Sequence, residues 1–98
     1  MINRSRLEIL ADILQAANDG IGVGSSSDDG IGASQTAIMY KAFLSYGQLK
    51  GYISLLTESN LLQYNKAMQK FKITEKGHRF LKLYIEINEV TKMRKFAA

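Results

Sequence analysis

The stretch SQTAIMYKAFLSYGQLKGYISLLTESNLL, from Ser34 to Leu62, decides the fold. Two short helical patterns meet in it at Ala42-Phe43-Leu44, and Ser45 follows as a helix N-cap whose hydroxyl can take an orphaned backbone N–H. In the second pattern Leu49, Tyr52, Ile53 and Leu56 recur at helical spacing and predict a core-facing stripe. That geometry turns Gly47, Lys50, Gly51 and Ser54 to the opposite side. The stretch therefore reads as two helices joined by a tight turn, the second keeping one side open to a partner.

N-terminal to this stretch, from about Asn3 to Asn18, Leu7, Leu10, Leu14 and Ala17 form one apolar stripe and Ile9, Ile13 and Ala16 a second. A helix apolar on two sides needs two covers, and either the last helix of the chain or a second subunit can supply one. Asn18-Asp19-Gly20 predicts its end, with glycine in the left-handed conformation. Residues 19–32, DGIGVGSSSDDGIG, hold five of the eight glycines without a regular period and predict a flexible connection. A phosphate cradle at Gly20, Gly22 and Gly24 would need a preceding strand and a following Gly-Lys-Ser/Thr. Asp28-Asp29-Gly30 likewise lacks the spaced oxygen ligands and terminal Glu of a calcium loop.

On the C-terminal side, Leu62 and Tyr64 alternate with polar neighbours, as do Phe71 and Ile73 with Lys70 and Lys72. Two strands of about four residues, joined across Asn65 to Gln69, predict a hairpin with Lys66 near its tip. Its lysines can meet phosphates or simply keep a two-stranded edge unpaired. Thr74 then caps a long helix from Glu75, an acid suited to the positive helix end. Phe80, Leu83, Tyr84, Ile87 and Val90 share one broad side of that helix, and Leu81 and Ile85 an adjoining one. The order helix, helix, helix, hairpin, helix predicts an α+β, mostly α fold: a winged helix-turn-helix. Its core spans residues 1–74, with a flexible loop at 19–33, and residues 75–98 form a helix for packing and dimerisation. Leu83, Ile87, Val90 and Met93 would pair with a second copy, and the alternative is a helix folded back on the first.

Ninety-eight residues suit one small domain, and 46% hydrophobic with 22% charged residues is an ordinary globular composition. The absence of cysteine removes disulfides, thiolate metal sites and thiol nucleophiles together. No apolar run approaches the roughly 20 residues that span a bilayer, and Arg4, Arg6, Glu8 and Asp12 interrupt the stretch nearest to a signal peptide. A soluble protein of the cytoplasm is expected. The net charge of +4 is unevenly spread: residues 1–40 hold two basic and five acidic side chains, whereas residues 41–82 hold eight basic and two acidic. That middle block attracts polyanions. His78, the only histidine, stands near Lys76, Arg79 and Lys82 without an acidic orienting partner, and the Glu86 and Glu89 pair reads as a solvated one. No catalytic residue, metal or organic cofactor is indicated.

Arg4-Ser5-Arg6-Leu7-Glu8-Ile9, Ile38-Met39-Tyr40, Leu44-Ser45-Tyr46 and Thr74-Glu75-Lys76-Gly77 together resemble the small archaeal winged-helix DNA-binding proteins of about ten kilodaltons, a family of chromatin-associated dimers and transcriptional regulators. The resemblance implies that the helix from Ser45 to Ser59 enters the major groove of double-stranded DNA, that the hairpin is a wing on the backbone, and that the C-terminal helix pairs in an antiparallel coiled coil as a homodimer. The chain departs from the pattern in its loop at 19–32, in Phe43 where a polar residue such as Asn is usual, in Gly47 and Gly51 on the reading helix, and in the shortness of its last helix. Gln48, Lys50, Ser54 and Tyr46 are then the candidates for base contacts, with Ser45 at the helix start. Lys41, Lys66, Lys70 and Lys72 are the candidates for phosphate contacts. The alternative is a protein-interaction adaptor whose Gly47-Gly51-Ser54 strip seats a partner helix.

Overall fold

The computed structural model describes residues 4–20 and 32–97, with residues 91–97 described by backbone alone. Helix α1 spans Arg6–Asp19, α2 Gln35–Ala42, α3 Tyr46–Glu58 and α4 Glu75–Ala97, and strands β1 (Leu62–Asn65) and β2 (Lys70–Ile73) form one antiparallel hairpin between α3 and α4. This is the α+β, mostly α winged helix-turn-helix that the sequence predicts.

A hydroxyl residue starts every helix. The Glu8 N–H donates to Ser5 Oγ at 3.1 Å and the Ser5 N–H to Glu8 Oε1 at 3.3 Å, a reciprocal capping box. Because Ser5 takes that role, α1 begins at Arg6 and not at Asn3. Ser34 accepts from the Ala37 N–H at 3.1 Å, and Thr74 from the Gly77 N–H at 2.9 Å. The Thr74 hydroxyl also donates to the Asn60 carbonyl at 2.7 Å, which ties the start of α4 to the end of α3.

Two helices end in the same way. After α2 the Phe43 N–H donates to the Tyr40 carbonyl and the Leu44 N–H to the Met39 carbonyl; after α3, Asn60 and Leu61 repeat this with Thr57 and Leu56. These are Schellman closures, which need a left-handed residue, and Phe43 (φ 55°) and Asn60 (φ 62°) supply it. Gly20, expected to be left-handed, is not: its φ is −76°. Glycine is required there for space, since a Cβ would lie 2.6 Å from both Ala33 Cβ and the Gly32 carbonyl oxygen.

The expectation of one flexible connection over 19–33 is corrected at both ends. Asp19 closes α1, and Ala33 pairs with Phe71 of β2 through N–H to carbonyl bonds of 2.9 and 2.7 Å. Residues 21–31, with the remainder of that expectation, lie outside the described residues.

Helix α1 packs against α2, β2 and α4 together, which covers both apolar stripes except at Leu7, 44% exposed in the first turn. Ile13 and Leu14 of α1 are fully buried with Ile38 of α2 and Leu49 and Leu56 of α3. Each contributes about 1.5–3 kcal/mol of burial free energy. Leu81, Phe80 and Tyr84 bring the first half of α4 onto this core. Gly77 makes the approach possible: a Cβ there would collide with the Leu61 carbonyl oxygen and lie 2.7 Å from Ile73 Cγ1.

Tyr84 is half-buried as a residue, and its hydroxyl is held protonated above the ordinary phenol range, first by desolvation and then by the negative charges of Glu8 and Asp12 on α1. The unfolded chain ionises near pH 10, so the stability tied to Tyr84 is complete below that pH and is lost as pH rises through its raised folded value. In urea titrations from pH 8 to 11, Tyr84→Phe should lose less stability at the alkaline end than the wild type, and parallel curves would show that Tyr84 carries no such linkage.

Candidate functional site

The outer face of α3 stands clear of the core. Leu49 and Leu56 are fully buried, Tyr52 and Ile53 half-buried, and Tyr46, Gly47, Gln48, Lys50, Gly51 and Ser54 exposed, as the helical spacing predicts. A Cβ built on Gly47 or Gly51 would meet nothing within 4 Å. No contact within the described residues therefore explains the glycines, although each costs a helix about 1 kcal/mol relative to alanine. What they provide is a low strip on which another surface can come close to the α3 backbone, with Lys50 between them.

Two of the candidate residues also serve α3 itself. Ser45 and Gln48 form a capping box: the Ser45 N–H donates to Gln48 Oε1 at 3.0 Å, the Gln48 N–H to Ser45 Oγ at 3.2 Å, and the Ser45 hydroxyl to Gln48 Oε1 at 3.2 Å. Their oxygens are committed to starting α3, which leaves the Gln48 amide nitrogen as the donor available to a partner. Lys50 and the Ser54 hydroxyl make no hydrogen bond among the described residues and retain their full capacity.

Arg6, which sequence reasoning did not select, lines a shallow groove with Gln48, Gly51, Tyr52 and Leu55. It brings a guanidinium to a helix that contains no arginine. The signal was indirect, because only the packing of α1 beside α3 places the first residue after the Ser5 cap next to Gly51.

In the hairpin the register is Leu62↔Ile73, Gln63↔Lys72, Tyr64↔Phe71 and Asn65↔Lys70. Alternation puts Leu62, Tyr64, Phe71 and Ile73 on the face that meets the core, with the Tyr64 and Phe71 rings 4.7 Å apart. Lys70 and Lys72 thus share the other face. Lys72 is exposed and Lys70 half-buried, and Lys66 is exposed in a turn fixed by the Met68 N–H donating to Asn65 Oδ1 at 3.0 Å. Helix α3 is in contact with β1, and the Thr74 hydroxyl ties the far end of the hairpin to the Asn60 carbonyl just after α3.

Lys41 lies apart from this group. It is exposed in the last turn of α2 and borders a groove with Asp12, Gln15, Ala16, Asp19 and Phe43. Asp12 there is paired with Arg4 at 2.8 Å, and Asp19 accepts from the Gln15 amide at 2.9 Å.

Along α4, beside and beyond the part that Phe80 and Tyr84 bring to the core, Leu83, Ile87 and Val90 stand at 58%, 53% and 56% exposure. The Met93 side chain, also expected in this stripe, lies outside the described residues. Twenty-three residues give α4 a length of about 35 Å, more than a domain of this size can cover by itself. Among the described residues no group of acidic, histidine or cysteine side chains is arranged to hold a metal ion, and no helix is long and apolar enough to cross a membrane.

Comparison with known proteins bears on this geometry. Residues 3–92 match the winged helix-turn-helix family. The fold is similar to the crystal structure of Sso10a-2, a DNA-binding protein from Sulfolobus solfataricus, with a TM-score of 0.69 and 22% identity over 96% of this chain and 92% of that one. Among curated proteins none matches the sequence.

Because Gly47 and Gly51 sit in exposed helix with open space around them, Gly47→Ala and Gly51→Ala should each raise unfolding stability by about 1 kcal/mol in urea titrations. A loss of stability would show that the α3 backbone at these positions is already in contact with part of the protein.

Proposed function

The chain belongs to the winged helix-turn-helix family, and on that premise we propose that it binds double-stranded DNA as a homodimer, with α3 in the major groove and the hairpin along the phosphate backbone. The observation that carries this reading is the outer face of α3, where two glycines that no packing explains flank Lys50. Sso10a-2, whose fold is similar, is a DNA-binding protein.

Lys50, the Ser54 hydroxyl, the Gln48 amide and Tyr46 face bases, and Arg6 reaches the same groove from α1. Lys66, Lys70 and Lys72 neutralise phosphates beside it, and Lys41 does so beyond the N-terminal end of α3. Affinity is then mostly electrostatic and sequence preference modest, which suits a chromatin-associated protein or a regulator of relaxed specificity. Leu83, Ile87, Val90 and Met93 pair with the same residues of a second copy and space two reading helices on one duplex.

The test is binding of purified protein to an unrelated duplex and to a random-sequence pool, from about 50 to 300 mM salt. If a dimer neutralises roughly six phosphates, log K should fall with log salt at a slope of about −5. Lys66→Ala should weaken all sequences alike, whereas Lys50→Ala should also change any preference among them. Leu83→Glu should halve the sedimenting mass and reduce the affinity. Absence of binding at the lowest salt would reject the DNA reading and favour an adaptor role in which the Gly47-Gly51-Ser54 strip seats a partner helix.

A further inference from the structure

Phe43 is the residue whose side chain the fold does not use: the turn needs its left-handed backbone but not its ring. Its ring is 85% exposed, and its backbone is left-handed at φ 55° and ψ 50°. A side chain with a Cβ adopts that region at a cost, and a large apolar ring gains nothing from water. At the matching position after α3 the chain uses Asn60, a residue that tolerates the left-handed region well. An unfavourable conformation held at a fully presented ring points to a role outside the chain.

The mount of this ring is rigid. The Schellman bonds close the turn beneath it, and the Arg4 guanidinium donates to the Ala42 carbonyl at 2.6 Å and to the Phe43 carbonyl at 3.2 Å. Tyr40 and Tyr46 stand on either side in sequence, 71% and 59% exposed. None of the three rings packs against another ring among the described residues.

Resting on the DNA-binding reading, we propose that Phe43 is a wedge that enters a base step at the N-terminal edge of the α3 contact, unstacking the bases and kinking the duplex, with Tyr46 and Tyr40 flanking it. Apolar side chains inserted between base pairs act in this way in other architectural DNA-binding proteins. Three features of this edge favour DNA over a protein partner. Phe43 lies two residues before the Ser45 cap, so it is continuous with the reading helix and beside the positive end of its dipole. Lys41 is exposed next to it, ready for a flanking phosphate. Of the two acids that border this groove, Asp12 is paired with Arg4 and Asp19 accepts from the Gln15 amide, so both are engaged within the protein.

The experiment uses the full chain and duplexes carrying 2-aminopurine at successive steps, read by fluorescence, with end-labelled duplexes for bending by energy transfer. Wild type should raise the 2-aminopurine signal and shorten the end-to-end distance. Phe43→Asn, which suits the left-handed turn and should melt no lower than wild type, should abolish both changes and weaken binding roughly tenfold, the loss expected from one base–aromatic contact. Phe43→Leu, an apolar wedge without a ring, should keep part of the bend. Wild type that binds the duplex without unstacking it overturns the wedge and leaves DNA binding intact. Phe43→Asn that unstacks and bends as wild type does has the same meaning. Phe43→Asn that sediments at lower mass without DNA assigns the ring to a contact between copies. Wild type that binds no duplex at low salt overturns both readings.

Discussion

An α-helix with apolar residues on two sides cannot be satisfied by one neighbour, and this demand of α1 organises the molecule. Helix α2, β2 and the first half of α4 share the task of covering it. Ile13 and Leu14 are then removed from water completely. The remaining elements follow from that arrangement. With α2 fixed on α1, the left-handed turn at Phe43 sets the direction of α3, and Leu49 and Leu56 dock α3 by one stripe only. A helix held along a single stripe keeps its other side free, so the exposed face of α3 is a product of the packing of α1. Arg4 reinforces the same joint by linking Asp12 of α1 to the last carbonyls of α2.

Electrostatics and architecture are arranged to the same effect. The basic block in residues 41–82 runs from the end of α2 through α3 and the hairpin into α4, whereas the acids of α1 lie beside Arg4, Gln15 and Tyr84. The acids of α1 are therefore engaged within the protein, and the lysines of the hairpin and α3 are left to counterions. Such a division attracts a polyanion to one side and gives it little hold on the other.

Most of the fold was legible because each element carries its own local signal. The apolar period of α3, the alternation of Leu62, Tyr64, Phe71 and Ile73, and the caps at Ser45 and Thr74 each rest on interactions between residues close in sequence. What the sequence concealed depends on residues far apart. The pairing of Ala33 with Phe71 belongs to no periodic pattern, so the end of the glycine-rich stretch could not be read as ordered. The role of Gly20 was visible as a helix stop, but its cause is the crowding of Gly32 and Ala33 and not a left-handed backbone. The candidate site was legible at Lys50, Gly47 and Gly51, whose side of the helix is fixed by period alone. Period alone does not reveal that Ser45 and Gln48 also cap α3, nor that tertiary packing brings Arg6 to the groove at Gly51.

The crowding at Gly20 has one more consequence. The chain leaves α1 and returns to pair with β2 at two glycines that nearly touch, for a Cβ on Gly20 would lie 2.6 Å from the Gly32 carbonyl oxygen. The segment between them thus begins and ends at neighbouring points of the chain. Doubling the length of such an excursion costs only about 0.6 kcal/mol of closure entropy. This pinch is a doorway in the fold: a place where evolution can add sequence, or an experimenter a fluorophore or a tethered domain, while the helices and hairpin behind it remain as they are.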